Sequence, residues 1–279
     1  MYDNGPGQEP DELRQPSASE MSEPTPVILP DPPQDSLWRR FAWHWRFQVI
    51  LRLVNRVKLR GVILDVSRFP RDIKNVFYEG EYEAIECDFA ARYLTAQDRV
   101  MEVGGAVGFI GLFCLVNLGI RHYTVIEPNP ETAKLLQQNY ALNGRTPAFL
   151  PFALGDRDGE VILEVGSTFW DNSLLGASQG GRTISVPGRR LTTVLAQLDY
   201  QPTALIFDVE GAESLLNFAE IPATVEKVLI ELHPKLLRPE VMARILADFE
   251  NLGFAVIAER NSVYFMARNP TGGSPAAVG

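Results

Sequence analysis

Apolar and polar positions along this chain follow two different periods. Val100-Met101-Glu102-Val103, Val125-Ile126, Leu205-Ile206-Phe207 and Val228-Leu229-Ile230 are short, largely apolar runs, as expected of strands buried on both faces. Between them apolar residues recur every three or four positions, which is the spacing of a helix with one covered face. The order is strand 99–104, helix 107–118, strand 122–127, helix 130–142 and strand 147–153. After an interruption it resumes with helix 190–198, strand 203–209, helix 212–219, strand 226–232 and helix 239–252. Pro239 suits a first helical position and Gly253 the position just past an end. Ala255-Val256-Ile257-Ala258 and Val263-Tyr264-Phe265-Met266 close the pattern as two strands joined through Asn261-Ser262.

This alternation predicts an α/β fold: a Rossmann-like, mostly parallel seven-stranded sheet with helices on both faces and an antiparallel edge from the closing pair. Ligands of such sheets sit at the carboxyl ends of the strands. Upstream, residues 57–67 suggest a short strand, and Tyr82, Ile85, Phe89 and Tyr93 mark a helix leading into the first core strand. The interruption holds a hairpin-like piece at 160–165, a polar loop through 182 and a short strand near 183–187. Trp170, Asp171 and Ser173 lie in that loop, and Gly176, Gly180 and Gly181 suit it to act as a cover over an acceptor.

Charge divides the rest of the chain. Residues 1–35 contain eight prolines, eight acids and one base, a composition that cannot bury enough apolar surface to order itself. They and residues 269–279 read as unstructured tails flanking an N-terminal helical arm and cap, 36–98, and a main domain, 99–268. In 37–60, Trp38, Trp43 and Trp45 interleave with arginines that scatter over several helical faces. An arm packed on the main domain fits this best, with peripheral membrane contact and partner contact as the other options. Residues 61–279 carry a net charge of −9, the same as the whole chain, and pI is about 5.0. Nucleic acid is therefore excluded as the main partner. Cys87 and Cys114 have neither disulfide-framework nor zinc-site spacing, and no run of about 18 apolar residues occurs, so a cytoplasmic protein is expected. Composition does not fix an oligomeric state.

Candidate chemistry sits at the strand ends. The first core strand runs into Glu102-Val103-Gly104-Gly105-Ala106-Val107-Gly108, and Glu127 closes the next strand, 23 residues beyond Gly104. Glycine lets the backbone approach a ligand and adopt positive φ, and a strand-end carboxylate can accept from the two hydroxyls of a ribose. The G-x-G-x-x-G spacing of dinucleotide sites is missing, because Ala106 stands two past Gly104. The spacing present, acid-x-Gly-x-x-x-Gly through Glu102, Gly104 and Gly108, suits S-adenosylmethionine, which has a cationic amino group and no pyrophosphate. A NAD-linked oxidoreductase is the weaker alternative, and residues 37–60 suggest another, a non-catalytic membrane-associated module.

A second cluster ends the later strands. Asp208-Val209-Glu210-Gly211-Ala212-Glu213 follows a buried apolar run, and Ile230-Glu231-Leu232-His233-Pro234 ends the next strand. An acid closing a buried strand is costly without a partner, whereas Glu213 equally suits the first turn of a helix. With the glycine loop and Glu127-Pro128-Asn129-Pro130, these segments resemble the FkbM family of S-adenosylmethionine-dependent methyltransferases over approximately residues 60–268. Tyr82-Glu83 and Phe169-Trp170-Asp171-Asn172-Ser173-Leu174 add to the resemblance. There are two departures. Family members often carry Asp-x-Gly-Ala-Asn where this chain has Glu102, Gly105 and Ala106, and lysine where it has Ile206.

The resemblance implies a class I methyltransferase fold and methyl transfer to a hydroxyl oxygen of a small molecule or glycan. It assigns Glu102, Gly104, Gly105, Gly108, Glu127, Pro128, Ala153 and Asp208 to the cofactor, and Trp170 and Ser173 to the acceptor. Asp208, His233 and Glu210 are the catalytic candidates. His233 has the ordinary pKa nearest neutrality for a general base, and Asp208 competes for that role or holds the methionine amino group. A divalent metal on Asp208, Glu210 and His233 is not favoured, since carboxylates two apart on a strand end need not converge.

Overall fold

The computed structural model describes residues 55–165, 172–173 and 182–268. The tails 1–35 and 269–279, residues 36–54 of the arm, and Trp170 lie outside the described residues, as does the side chain of Ser173. In chain order the elements begin with β1 (Arg56–Leu59), β2 (Val62–Asp65), α1 (Arg71–Glu79) and α2 (Ala84–Tyr93). β3 (Arg99–Val103), α3 (Phe109–Phe113), β4 (His122–Ile126), α4 (Pro130–Leu142) and β5 (Ala148–Leu150) follow. Next come β6 (Ala153–Gly155), β7 (Gly159–Val165), β8 (Asn172–Ser173), β9 (Arg182–Arg190) and α5 (Leu191–Leu195). β10 (Ala204–Phe207), β11 (Lys227–Glu231), α6 (Pro239–Asn251), β12 (Phe254–Arg260) and β13 (Val263–Arg268) complete the chain.

The main sheet has the order β12-β13-β11-β10-β3-β4-β5. β5, β4, β3, β10 and β11 are parallel, while β13 runs antiparallel to both β11 and β12. The closing hairpin thus supplies the antiparallel edge, with its reversed strand one place in from the border. Seven strands in this order form the Rossmann-like class I methyltransferase fold. Strand order reverses between β3 and β10, which opens a crevice at their carboxyl ends.

Two apolar layers sandwich the sheet. Along β3, Val100 joins the core beneath the β1–β2 hairpin and α2–α4, whereas Met101 and Val103 join the core beneath α5 and α6. The opposite ends of the strands are pinned by Asp98, whose carboxylate pairs with Lys227 Nζ at 2.8 Å and accepts from Thr203 Oγ1. Helix α4 starts where Asn129 accepts from the Glu131 amide and Pro130 takes the first turn.

Several local expectations are revised. Residues 57–67 form a hairpin rather than one strand, because Arg60 (φ 45°) and Gly61 (φ 85°) make a tight left-handed turn. The expected helix 107–118 is α-helical only over Phe109–Phe113 and continues as a π-turn, Cys114–Leu118, stopped by Gly119. The expected helix 212–219 is two 3-10 turns, Ala212–Leu215 and Phe218–Glu220, with Leu216 extended between them. The expected strand 147–153 divides between sheets: β5 stays in the main one, and β6 joins a second sheet of order β6-β9-β7-β8.

Candidate functional site

The site is built where β3, β4, β10 and β11 end. Both Gly104 and Gly105 amides donate to the Ile126 carbonyl at 3.0 Å, and the Asp208 amide donates to the Val103 carbonyl at 3.0 Å. The first two bonds hold the loop after β3 against the end of β4, and the third holds the start of the loop after β10 against the end of β3. Gly104 has φ 91°, and a Cβ there would fall 1.7 Å from the Asp208 carbonyl oxygen. No other residue fits without moving the Asp208 backbone.

Glu127 stands at the tip of β4. Its Oε2 accepts from the Ala106 amide at 3.0 Å and its Oε1 from the Asn129 amide at 2.8 Å. Burial raises its pKa to about 7, against the lowering effect of these two hydrogen bonds. Each carboxylate oxygen keeps a free lone pair. In front of it lies a cleft of about 720 Å³, counting its open mouth. Gly104, Ala106 and Pro128 form part of its wall, Ala153, Leu154 and Leu163 supply apolar surface, and Asp208 and Glu210 close one side.

Ala106, Asp208 and Glu210 also line a second cavity of about 1090 Å³, again counting its open mouth. Its remaining wall includes Phe69, Tyr82, Glu81, Glu83, Glu86 and Glu231. Glu83 ties this wall to the start of α3, its Oε2 accepting from the Ile110 amide at 2.9 Å. Burial and the neighbouring Glu86 charge raise Glu83 to about 8. Burial likewise raises Glu231 to about 7, and burial together with the Glu231 and Glu210 charges holds Asp208 well above the usual carboxylate range.

His233 joins the acids. Its Nδ1 lies 2.8 Å from Oε1 of Glu213, whose side chain is fully buried. Its Nε2 lies 3.4 Å from Glu210 Oε2, 3.5 Å from Asp208 Oδ1 and 3.9 Å from Glu231 Oε2. Burial pulls His233 down, but the Glu213 hydrogen bond and the surrounding carboxylates outweigh it and raise the ring to about 9.

Of the expected cofactor residues, Gly104, Glu127, Pro128, Ala153 and Asp208 meet at the first cleft. Glu102, Gly105 and Gly108 do not line it. Glu102 is fully buried on the Val100 side of β3, where its Oε2 accepts from Tyr123 at 2.8 Å, because alternation along the strand turns it beneath α3. A Cβ on Gly105 would meet Val125 at 2.3 Å, and one on Gly108 would meet Tyr140 at 2.6 Å, so these glycines admit close packing. Asp208, Glu210 and His233 do converge. Glu213 is not a helix-capping charge but the partner of His233, and Glu86, Val107, Thr132 and Val209 are wall residues the sequence does not single out.

No family model matches the chain, and no curated protein matches it. Solved structures of similar fold include a ribosomal protein L11 methylase from Lactobacillus delbrueckii subsp. bulgaricus, 12% identical, covering 68% of this chain and 79% of that one with a TM-score of 0.40. A precorrin-6y C5,15-methyltransferase from Geobacter metallireducens GS-15 is 10% identical, with 67% and 86% covered and a TM-score of 0.42. The methyltransferase FkbM from Methylobacillus flagellatus KT is 12% identical, with 70% of this chain and 52% of that one covered and a TM-score of 0.37. At these identities the likeness is one of fold alone.

Proposed function

We propose that the chain is an S-adenosylmethionine-dependent methyltransferase of FkbM type, acting on a hydroxyl oxygen of a small molecule or glycan. The observation that carries this is the meeting of two cavities at Ala106, Asp208 and Glu210, one beside the glycine turn and Glu127, the other walled by acids. The cofactor fits the first: Gly104, Ala106 and Pro128 wall it, and Glu127 is fixed by two amides with lone pairs to spare for ribose hydroxyls. When bound there, S-adenosylmethionine supplies an electrophilic methyl group on a sulfonium. The protein's own task is to hold acceptor oxygen, methyl carbon and sulfur in line, and positioning of this kind supplies much of the acceleration. Asp208, at the junction, receives the acceptor proton. Burial and the neighbouring Glu231 and Glu210 charges raise its affinity for a proton.

Titration of the purified chain with S-adenosylhomocysteine and, separately, with NAD tests the cofactor; binding of NAD alone would overturn the reading. An assay for S-adenosylhomocysteine release across neutral, acidic and amino-bearing hydroxyl compounds, with the methylated atom identified, tests the acceptor. Methylation at carbon or nitrogen only would overturn the hydroxyl assignment.

A further inference from the structure

His233 is oriented from behind by a buried acid. In the neutral ring, with Nδ1–H donated to Glu213, Nε2 presents a lone pair to the oxygens of Asp208, Glu210 and Glu231 at 3.4–3.9 Å. Lone pairs face one another across this gap, so something positive belongs between them. A proton on Nε2 serves poorly, since all three separations exceed the roughly 2.7–3.2 Å of a hydrogen bond from nitrogen. A metal ion serves well: ligand atoms about 2.1 Å from a common ion lie ~3.0–3.4 Å apart along the edges of an octahedron or tetrahedron. The candidate atoms of Asp208, Glu210 and His233 all lie within 4.8 Å of one another.

Two further observations point to a ligand. Asp208 Oδ1, one of the atoms facing Nε2, is shielded from solvent yet has no hydrogen-bond partner. Glu86, only 9% exposed, adds a further carboxylate to the adjoining cavity. The Glu213–His233 contact is also the arrangement by which proteins orient an imidazole toward a metal.

We propose that Asp208, Glu210 and His233 bind a divalent cation of the Mn²⁺ type, with Glu231 close enough to join them. One imidazole among carboxylates suits such an ion better than Ca²⁺, which takes oxygen alone. The proposal rests on the methyl-transfer reading of the same site and adds a requirement to it. An acceptor hydroxyl bound to the ion loses its proton more readily, and the Asp208 oxygen that does not ligate the ion takes that proton. The oxygen's electron pair forms the O–C bond, the C–S bond breaks, and its electrons stay on sulfur as a neutral thioether.

The full-length chain, stripped with a chelator, is titrated with Mn²⁺ while the electron paramagnetic resonance signal of free Mn²⁺ is followed. The expected result is one bound ion per chain, with affinity falling at least tenfold in His233→Ala and in Glu210→Gln. Glu213→Gln, which only orients the ring, should weaken binding by about 10- to 100-fold. S-adenosylhomocysteine affinity, measured in parallel, is expected to persist in His233→Ala and shows that this variant is folded. Absence of Mn²⁺ binding at millimolar concentration, or binding that His233→Ala and Glu210→Gln leave unchanged, overturns the cation site and leaves methyl transfer standing. Mn²⁺ binding without any affinity for S-adenosylhomocysteine supports the cation site and sinks the methyl-transfer reading.

Discussion

Gly104 is a residue whose replacement has only one outcome. Because its missing Cβ would overlap the Asp208 carbonyl, Gly104→Ala must push apart the loops after β3 and β10. We expect a lowered melting temperature together with loss of S-adenosylhomocysteine affinity; calorimetric titration that finds normal affinity would show that the cofactor does not use this turn. Glu127→Ala removes a charged acceptor from the cleft and from the Ala106 and Asn129 amides. Hydrogen bonds to charged groups are worth about 1.5–3 kcal/mol, so affinity should drop by about 10- to 100-fold. Asp208→Asn, by contrast, should retain most of the cofactor affinity and lose turnover at least a hundredfold, the scale of one general base. Glu127 and Asp208 were legible in the sequence because each closes an apolar run at a strand end. Glu102 misleads there for a physical reason. Its distance from Gly104 along the chain is visible, but the sheet face it takes depends on which helix covers that face.

At the scale of elements, the parallel strands were legible because burial on both faces leaves continuous apolar runs, as in Ala204–Phe207, where all four residues are buried. Elements whose ends answer to the site were not. The segment after β10 cannot wind as a regular helix, since Glu210 (φ 48°) and Gly211 (φ 90°) turn left-handed and Glu213 is committed to His233. Nothing in the local periodicity of Ala212–Leu215 reports a partner 20 residues away. In the second sheet β7 and β9 were legible, as the piece at 160–165 and the strand near 183–187, but the joining of β6 to them was not, because β6 is three residues long and its partner β9 follows a long insertion. Elements far from the site should affect stability alone. Asp98, 6% exposed at the start of β3, pairs with Lys227 at the start of β11. Lys227→Ala leaves a buried carboxylate without its cation and should cost about 3 kcal/mol. Denaturant unfolding measures this, and S-adenosylhomocysteine affinity should stay within a fewfold of normal. A large loss of affinity would mean that the two ends of the sheet are coupled.

Among the described residues carboxyl groups gather at one end of the sheet, and this sets how stability depends on pH. Burial raises Glu83 to about 8 and Glu127 and Glu231 to about 7, and raises Glu86 and Asp208 as well. An unfolded glutamate titrates near 4.5, so between pH 4.5 and 8 the folded chain holds more protons than the unfolded one. Stability must then fall as pH rises through that window. His233 acts in the same direction: raised from 6.5 to about 9, its contribution is complete below pH 6.5 and is lost as pH climbs through 9. The lowered pKa of Asp88 concerns only strongly acidic solution and does not oppose this trend. The ligand-free chain should therefore melt at progressively lower temperature from pH 5 to pH 9, unlike proteins whose carboxylates are paired. A cation bound among Asp208, Glu210 and His233 reverses the cause, because it competes with protons for the same atoms and binds more tightly as they leave. Added Mn²⁺ should raise the melting temperature little at pH 5 and most at pH 9, flattening the profile. A steep decline that Mn²⁺ leaves untouched would mean that the acids repel one another without an ion to hold them. A profile that rises with pH would contradict the clustering itself.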